Sequence, residues 1–117
     1  MSIRSQNLLG HIKGKTGLTP NISGRFAICL SLHDVSVPNP DEFDEKGSEI
    51  LPHVLFGEYE DVFRALMIKR LQKDKLPIDS EMLNKMTRAH FNRGVIALFA
   101  RVQDLSSFYE MVIPEAK

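Results

Sequence analysis

Histidine, cysteine and carboxylate side chains are the groups of this sequence that could bind a metal ion. The four histidines are His11, His33, His53 and His90. They lie in separate segments, without the short spacing to cysteine or carboxylate residues that metal ligands show. We therefore predict no metal site, and we expect His33 and His90 to be partly buried helix residues that make one hydrogen bond each.

The single cysteine, Cys29, is the one candidate for a nucleophilic thiol, and it cannot form an internal disulfide. It falls beside Phe26 and Leu30 on the apolar side of a predicted helix, where a thiol behaves as a small hydrophobic group.

The acidic residues between Asp41 and Glu49 lack the spacing of a calcium loop. We interpret them as a solvated loop that could also face a basic partner subunit.

The glycines and serines do not form a catalytic motif. Gly10, Gly14 and Gly17 follow no buried strand, and although Gly14-Lys15-Thr16 has the order Gly-Lys-Thr, no glycine stands five residues before Gly14 as in a loop that binds nucleotide phosphates. No Gly-x-Ser-x-Gly nucleophile elbow occurs either. We predict that the protein has no catalytic residue and no cofactor, and that it is not an enzyme.

Charge is strongly segregated along the chain, although the net charge is zero. Residues 1–33 contain four bases and no acid, residues 34–61 contain nine acids against one base, and residues 62–102 contain nine bases against three acids. Lys13 and Lys15 lead into Thr19-Pro20, a typical helix start. Free N–H groups at a helix start and nearby lysines both favour phosphate, so this corner could bind a nucleic-acid backbone.

The apolar periodicity and the breakers predict four helices and one long loop. The predicted helices are Ile3–Lys15, Pro20 to about His33, about Gly57 to Lys73, and Ser80 to about Asp104. The first contains two glycines, so we expect it to fray. We place an acidic loop at about 34–56 and a C-terminal tail at about 106–117, with a short extended stretch at 111–113.

Each predicted helix has an expected inward face. In the second helix this face is Ile22, Phe26, Cys29, Leu30 and His33, and in the third it is Tyr59, Val62, Phe63, Leu66 and Met67. Thr19 is expected to cap the second helix, and Asp79 or Ser80 the last one. Residues 95–100 are apolar on all sides, which predicts burial all round, in the core or in a subunit interface.

The length of 117 residues and 43% hydrophobic content fit one domain, with a mainly α fold over residues 1–117. A domain of this size often gains stability from association. The N-terminus lacks the pattern of a signal peptide, and no apolar run has the roughly 20 residues that cross a bilayer. We therefore predict a cytoplasmic protein.

Five stretches resemble the DndE family of DNA-modification proteins. The hallmark is Lys15–Ile22 followed by Arg25–Leu32, and the supporting stretches are Gly47–Glu49, Leu55–Glu58 and His90–Val95. They span most of the chain in the expected order. The resemblance implies a component of bacterial DNA phosphorothioation, in which partner proteins replace a non-bridging phosphate oxygen by sulfur.

The same resemblance implies a compact helical fold, a variant of the ribbon-helix-helix type, that binds nicked double-stranded DNA and forms a tetramer. By position, the expected DNA contacts are Lys13, Lys15, Asn21 and Arg25. The chain departs from the family pattern at Gly14, which is commonly basic, and at Gly24, which is commonly larger. The first departure should weaken phosphate attraction, and the second should change how the helix packs, which makes the tetramer less secure.

Two other functions stay open at this point. One is an adaptor that uses the acidic loop and residues 95–100 to assemble the sulfur-modification complex without touching DNA. The other is a sequence-reading repressor, but that class needs a paired N-terminal β-ribbon, and Ile3–Lys15 shows no clean alternation.

Overall fold

Five α-helices organise the chain in the computed structural model, which describes the backbone of residues 1–112 and the side chains of residues 1–104. The helices are α1 (Ile3–Thr16), α2 (Pro20–His33), α3 (Pro52–Phe56), α4 (Glu60–Lys73) and α5 (Ser80–Val112). Short 3₁₀ turns occur at Pro40–Glu42 and Gly57–Tyr59. The predicted mainly α, single-domain fold is confirmed, and residues 1–112 contain no strand that could form a repressor-like ribbon.

Helix α1 is complete despite its glycines, so the expected fraying is not observed. Ser2 caps it, because the Ser2 Oγ accepts a hydrogen bond from the Ser5 N–H at 3.0 Å. The Ser2 N–H and the Ser5 hydroxyl both donate to Asn92 Oδ1 of α5, at 3.0 and 2.8 Å. At the other end Gly17 takes a left-handed conformation with φ of 76°, and its N–H donates to the Lys13 carbonyl. Both ends of the helix are thus fixed by specific hydrogen bonds.

Helix α2 has the predicted bounds but the opposite buried face. Its buried residues are Ser23, Gly24, Ala27, Ile28 and Ser31. The predicted inward residues are exposed except for the half-buried Leu30, so the assignment of Cys29 to the core is wrong. The reason is steric, because α2 crosses α5 so closely at Ala27 and Gly94 that no large side chain fits at that point.

Two glycines show how close this crossing is. A Cβ atom added to Gly94 of α5 would overlap the carbonyl group of Ala27. A Cβ added to Gly24 would meet Phe91 at 2.6 Å and Leu55 at 2.7 Å. The helix pair therefore requires glycine at position 94, where the neighbour is backbone, whereas a side chain at Gly24 would have to displace the ends of the Phe91 and Leu55 side chains.

The predicted acidic loop is shorter than expected, because Pro52–Phe56 forms α3. Pro52 occupies a first-turn position, where its missing N–H costs little. Leu55 and Phe56 are buried, and Phe56 stacks on Phe63 of α4 with ring centroids 4.5 Å apart. Burial of these two apolar side chains accounts for a helix that composition alone did not indicate.

Helix α4 ends at Lys73 as predicted, but only part of its inward face is correct. Phe63 and Met67 are buried, and the inward line continues with Arg70 and Leu71. The predicted inward residues Tyr59, Val62 and Leu66 are instead 48%, 55% and 42% exposed. The stacking of Phe63 on α3 sets the rotation of the helix and turns these three side chains outward.

Helix α5 begins at Ser80, with Asp79 accepting a hydrogen bond from the Met82 N–H at 2.7 Å, and it continues past the predicted end at Asp104. Met111 and Val112 are helical, not extended as expected, and residue 113 lies outside the described residues. No proline lies between Ser80 and Pro114, which explains the length. Among the described residues, no helix has the length and apolar character needed to cross a bilayer.

The apolar stretch 95–100 of α5 is only partly covered. Val95 is fully buried, whereas Ala97 and Ala100 are exposed. Helix α1 runs parallel to this part of α5, with His11 beside Phe99 and Lys15 beside Gln103. Within one chain the stretch is therefore not buried on all sides, as the sequence had indicated.

A buried polar network joins α4 and α5 to the end of α2. Arg70 and Arg93 both donate to the Ser36 carbonyl, at 2.7 and 2.9 Å, and Arg70 pairs with Asp74 at 2.8 Å. The side chains of Arg70 and Asp74 are each 5% exposed. Two guanidinium groups thus hold the chain where it leaves α2.

His90 lies at the centre of this network and is fully buried. Its Nδ1 is 2.8 Å from the Ser31 hydroxyl, which also accepts a hydrogen bond from Arg93 Nε. Burial, and then the charges of Arg70 and Arg93, lowers the pKa of His90 to about 4. The expectation of one hydrogen bond is confirmed for His90, whereas His33 is exposed, so its predicted burial is wrong.

Candidate nucleic-acid interface

The C-terminal end of α1 carries the lysines that the sequence singled out. The helix contains Arg4, Lys13 and Lys15 and no acidic residue. Both lysines are exposed and lie in its last turn. They stabilise the negative end of the helix dipole, and they also place two positive charges at the connection to α2.

Gly14 separates the two lysines and leaves the backbone between them open. Successive helix residues are rotated by about 100°, so Lys13 and Lys15 project to the two sides of the direction in which a Gly14 side chain would point. No atom lies within 4 Å of a Cβ built on Gly14. Lys13 and Lys15 are therefore about 160° apart around the helix axis, one on each side of this bare strip.

Lys15 has a neutral partner. Its Nζ donates to Gln103 Oε1 of α5 at 2.6 Å. This hydrogen bond orients the ammonium group without neutralising its charge, so the group can still attract an anion.

The first turn of α2 follows directly after the lysine pair. Thr19 occupies the cap position but makes no side-chain hydrogen bond there, contrary to the expected capping. The first N–H groups of a helix have no partner within the helix, and they attract phosphate oxygens. Asn21 lies in this turn and is half-buried. Its amide and the helix start thus lie a few residues after Lys15.

Arg25 is engaged within the protein. Its Nε donates to the Leu55 carbonyl of α3 at 2.6 Å, and its guanidinium lies 5.7 Å above the centre of the Tyr59 ring. These contacts tie α2 to the segment that joins α3 and α4. Arg25 therefore has a structural role in positioning the helix, apart from the exposed lysines.

Sequence reasoning did not find the buried basic network. Arg70 follows Phe63 and Met67 at helical spacing, which places it on the inward face of α4. A cation in line with buried apolar residues is a signal that could have identified it, because such a residue needs carboxylate or carbonyl partners. The carbonyl partner, Ser36, comes from a distant loop and is not visible in the sequence.

The described side chains, residues 1–104, contain no cluster of three His, Cys, Asp or Glu residues that could hold a metal ion. The chemical groups at the α1–α2 corner are ammonium, amide and backbone N–H. These groups donate hydrogen bonds to anions, and they suit reversible binding of a phosphate backbone.

Comparison with known proteins identifies the family. The family model described as DNA sulphur modification protein DndE matches residues 1–106. Among solved structures, the chain is similar to the crystal structure of DndE from Escherichia coli B7A involved in DNA phosphorothioation modification, with a TM-score of 0.69 and 25% sequence identity. This match covers 84% of the present chain and 92% of the other. No curated protein matches the chain. The chain belongs to the DndE family of DNA sulphur modification proteins.

Proposed function

We propose that this protein is a non-enzymatic DNA-binding component of the phosphorothioation system that holds the backbone of double-stranded DNA at the α1–α2 corner. The observation that carries the proposal is the pair of exposed lysines, Lys13 and Lys15, on the two sides of the bare backbone at Gly14. Asn21 and the start of α2 add hydrogen-bond donors. Arg25 is the fourth proposed DNA contact, and its Nε also donates to the Leu55 carbonyl of α3.

The chemistry of the corner supports a binding role over a catalytic one. Sulfur transfer requires a group that carries activated sulfur and a group that activates the phosphate. Ammonium and amide groups do neither, but they lower the electrostatic cost of bringing DNA to a protein. We assign the sulfur chemistry to partner proteins of the modification system, with which this chain would assemble.

Nicked DNA is the proposed ligand, because a nick gives the duplex the freedom to bend around a small protein. Fluorescence anisotropy with three labelled ligands of equal length tests this: an intact duplex, the same duplex with a central nick, and a single strand. We expect the nicked duplex to bind most tightly at low salt. Equal binding of all three ligands would contradict the preference for a nick, and absence of binding would contradict the function.

We further propose that the protein acts as a homo-oligomer, with a tetramer as the expected form. Helix α2 exposes an apolar stripe formed by Ile22, Phe26 and Cys29, of which Ile22 is 40% and Phe26 is 54% exposed. Apolar side chains at helical spacing on a surface are typical of a subunit interface. The mass in solution, with and without nicked DNA, tests this, and Phe26→Ser should reduce it. A monomer under both conditions would contradict the proposal.

An adaptor role is the second candidate. Tyr59, just before α4, and Val62 and Leu66 of α4 form an exposed apolar line that could bind another protein of the system. The discriminating experiment combines a pull-down of partner proteins with DNA binding by the purified protein. Retention of partners without DNA binding at low salt would favour the adaptor.

A further inference from the structure

A second group of cations lies beneath the acidic residues of the central loop. We call residues 41–45 the acidic segment; it contains Asp41, Glu42, Asp44 and Glu45. Glu45 Oε1 lies 2.8 Å from Arg88 Nε of α5, and their side chains are 68% and 39% exposed. The acidic segment thus places a carboxylate on a cation that would otherwise face solvent.

A second group of charged residues lies further along α5. A cleft of about 340 Å³ is lined by Arg4 of α1 and Arg93 of α5 together with Glu42 and Asp44 of the acidic segment. Arg93 also lies 3.7 Å from Asp34, just before the acidic segment. Cations from two helices and carboxylates of one loop therefore line the same cleft.

The acidic segment is held by hydrogen bonds from backbone N–H groups to the side chains of Asn39 and Asp44, in addition to the ion pair of Glu45. Asn39 caps its 3₁₀ turn by accepting from the Asp41 N–H at 3.0 Å. Asp44 accepts from the N–H groups of Lys46 and Ile3, at 3.0 and 3.1 Å, and these bonds hold the pKa of its carboxyl below the ordinary value. The side chains of Glu42 and Glu45 are exposed and accept none of these backbone hydrogen bonds. Their charges can be removed without detaching the loop.

Ion pairs between exposed side chains contribute little to stability and are screened by salt. A DNA phosphate carries the same charge as a glutamate and gains from counterion release when it meets an arginine. A DNA phosphate can therefore replace Glu45 as the partner of Arg88. The negative charges of the acidic segment nevertheless repel the phosphate as it approaches.

We propose that Arg4 and Arg88, supported by the charge of Arg93, form a second surface for the DNA backbone, and that the acidic segment covers this surface and weakens DNA binding. This inference rests on the proposed DNA-binding function. It accounts in part for a DNA-binding chain whose net charge is zero, because Arg88 and Arg93 are paired with carboxylates of the central loop.

The test compares two charge-matched double variants with the wild type. Glu42→Gln with Glu45→Gln removes two charges from the acidic segment. Glu58→Gln with Asp61→Asn removes two exposed charges at the start of α4 and serves as the control. Binding of nicked duplex is measured by anisotropy over a range of salt concentrations, after circular dichroism has verified the fold of each variant.

We expect the Glu42/Glu45 variant to bind several-fold more tightly than the control variant. Each additional phosphate contact makes the slope of log K against log salt steeper by about 0.9, so a steeper slope is expected for this variant alone. Adding Arg88→Gln to it should remove the gain. Affinity and slope equal to those of the control would overturn the inference.

Failure of the proposed function gives a different result. If the wild type does not bind DNA but the Glu42/Glu45 variant does, the acidic cover is supported while binding by the native protein is contradicted. If neither binds, both proposals are wrong.

Discussion

Gly94 of α5 lies directly against the backbone carbonyl of Ala27 in α2, with no room for a side chain between them. This contact explains why α2 buries its small residues and turns Phe26 to solvent. It also fixes the position of the α1–α2 connection, because α2 has no freedom to slide along α5 at this point. The lysine corner is therefore held by a rigid helix pair.

Gly94→Ala should destabilise the protein by about 3 kcal/mol or more, since overpacking against backbone forces the helices apart. Gly10→Ala is the matched control, because no atom lies within 4 Å of its Cβ position. This change should stabilise the protein by up to about 1 kcal/mol through helix propensity. Urea unfolding measures both, and a Gly94→Ala protein as stable as the wild type would contradict the packing described.

The pH dependence of stability should show the buried His90. Its pKa is about 4 in the folded protein, below the ordinary value of 6.5, so the unfolded chain binds the proton more readily between these values. Above pH 6.5 His90 therefore has little effect on the free energy of unfolding. As the pH falls towards 4, proton uptake by the unfolded chain lowers this free energy. Between pH 7 and pH 5 we expect a loss of about 2 kcal/mol from this residue.

Two measurements isolate the histidine. An NMR titration should show His90 titrating near pH 4 in the folded protein. The exposed His33 provides the control, because His33→Gln should leave the decline in stability unchanged. A His90 resonance that titrates near pH 6.5 would show that the ring is not buried as described.

The two ion pairs within α4 should differ sharply in their effect on stability, although both have the same i, i+4 spacing. Asp74→Asn leaves Arg70 buried without a carboxylate, and it should cost about 3–5 kcal/mol. Glu60→Gln breaks the pair with Arg64, which is 57% exposed, and it should cost less than about 1 kcal/mol. Denaturant unfolding compares the two variants. Equal losses would mean that the Arg70 network contributes nothing beyond a surface pair.

Gly14 offers a gain-of-function test of the lysine corner. Gly14→Lys adds a cation between Lys13 and Lys15 in open space, so affinity for nicked DNA should rise and its salt dependence should steepen by about 0.9. Gly14→Ala raises helix propensity without adding charge and is the control. If the alanine variant binds as tightly as the lysine variant, helix stability and not charge determines binding.

The sequence was sufficient to predict the helix bounds wherever local signals act. Pro20 marks the start of α2, and Lys73 ends α4 before a turn. The buried face of α2 was predicted in reverse, because periodicity shows which side of a helix is more apolar but not how near its neighbour lies. Close contact at Gly94 reverses the usual rule that the larger apolar side chains face inward.

The candidate site was likewise predictable from the sequence only in part. The exposure of Lys13 and Lys15 could be predicted from their place in an acid-free segment at a helix end. The contact of Arg25 with the Leu55 carbonyl and that of Lys15 with Gln103 join residues 30 and 88 positions apart. Such contacts depend on how the helices are arranged, and no local pattern indicates them.

The salt dependence of nicked-DNA binding by Lys13→Ala with Lys15→Ala tests the central claim most directly. The control is Lys69→Ala with Lys73→Ala, which removes two exposed lysines from α4. Loss of two phosphate contacts should flatten the slope of log K against log salt by about 1.8 in the first variant and leave it unchanged in the second. An unchanged slope in the Lys13/Lys15 variant would show that this corner does not hold the DNA backbone.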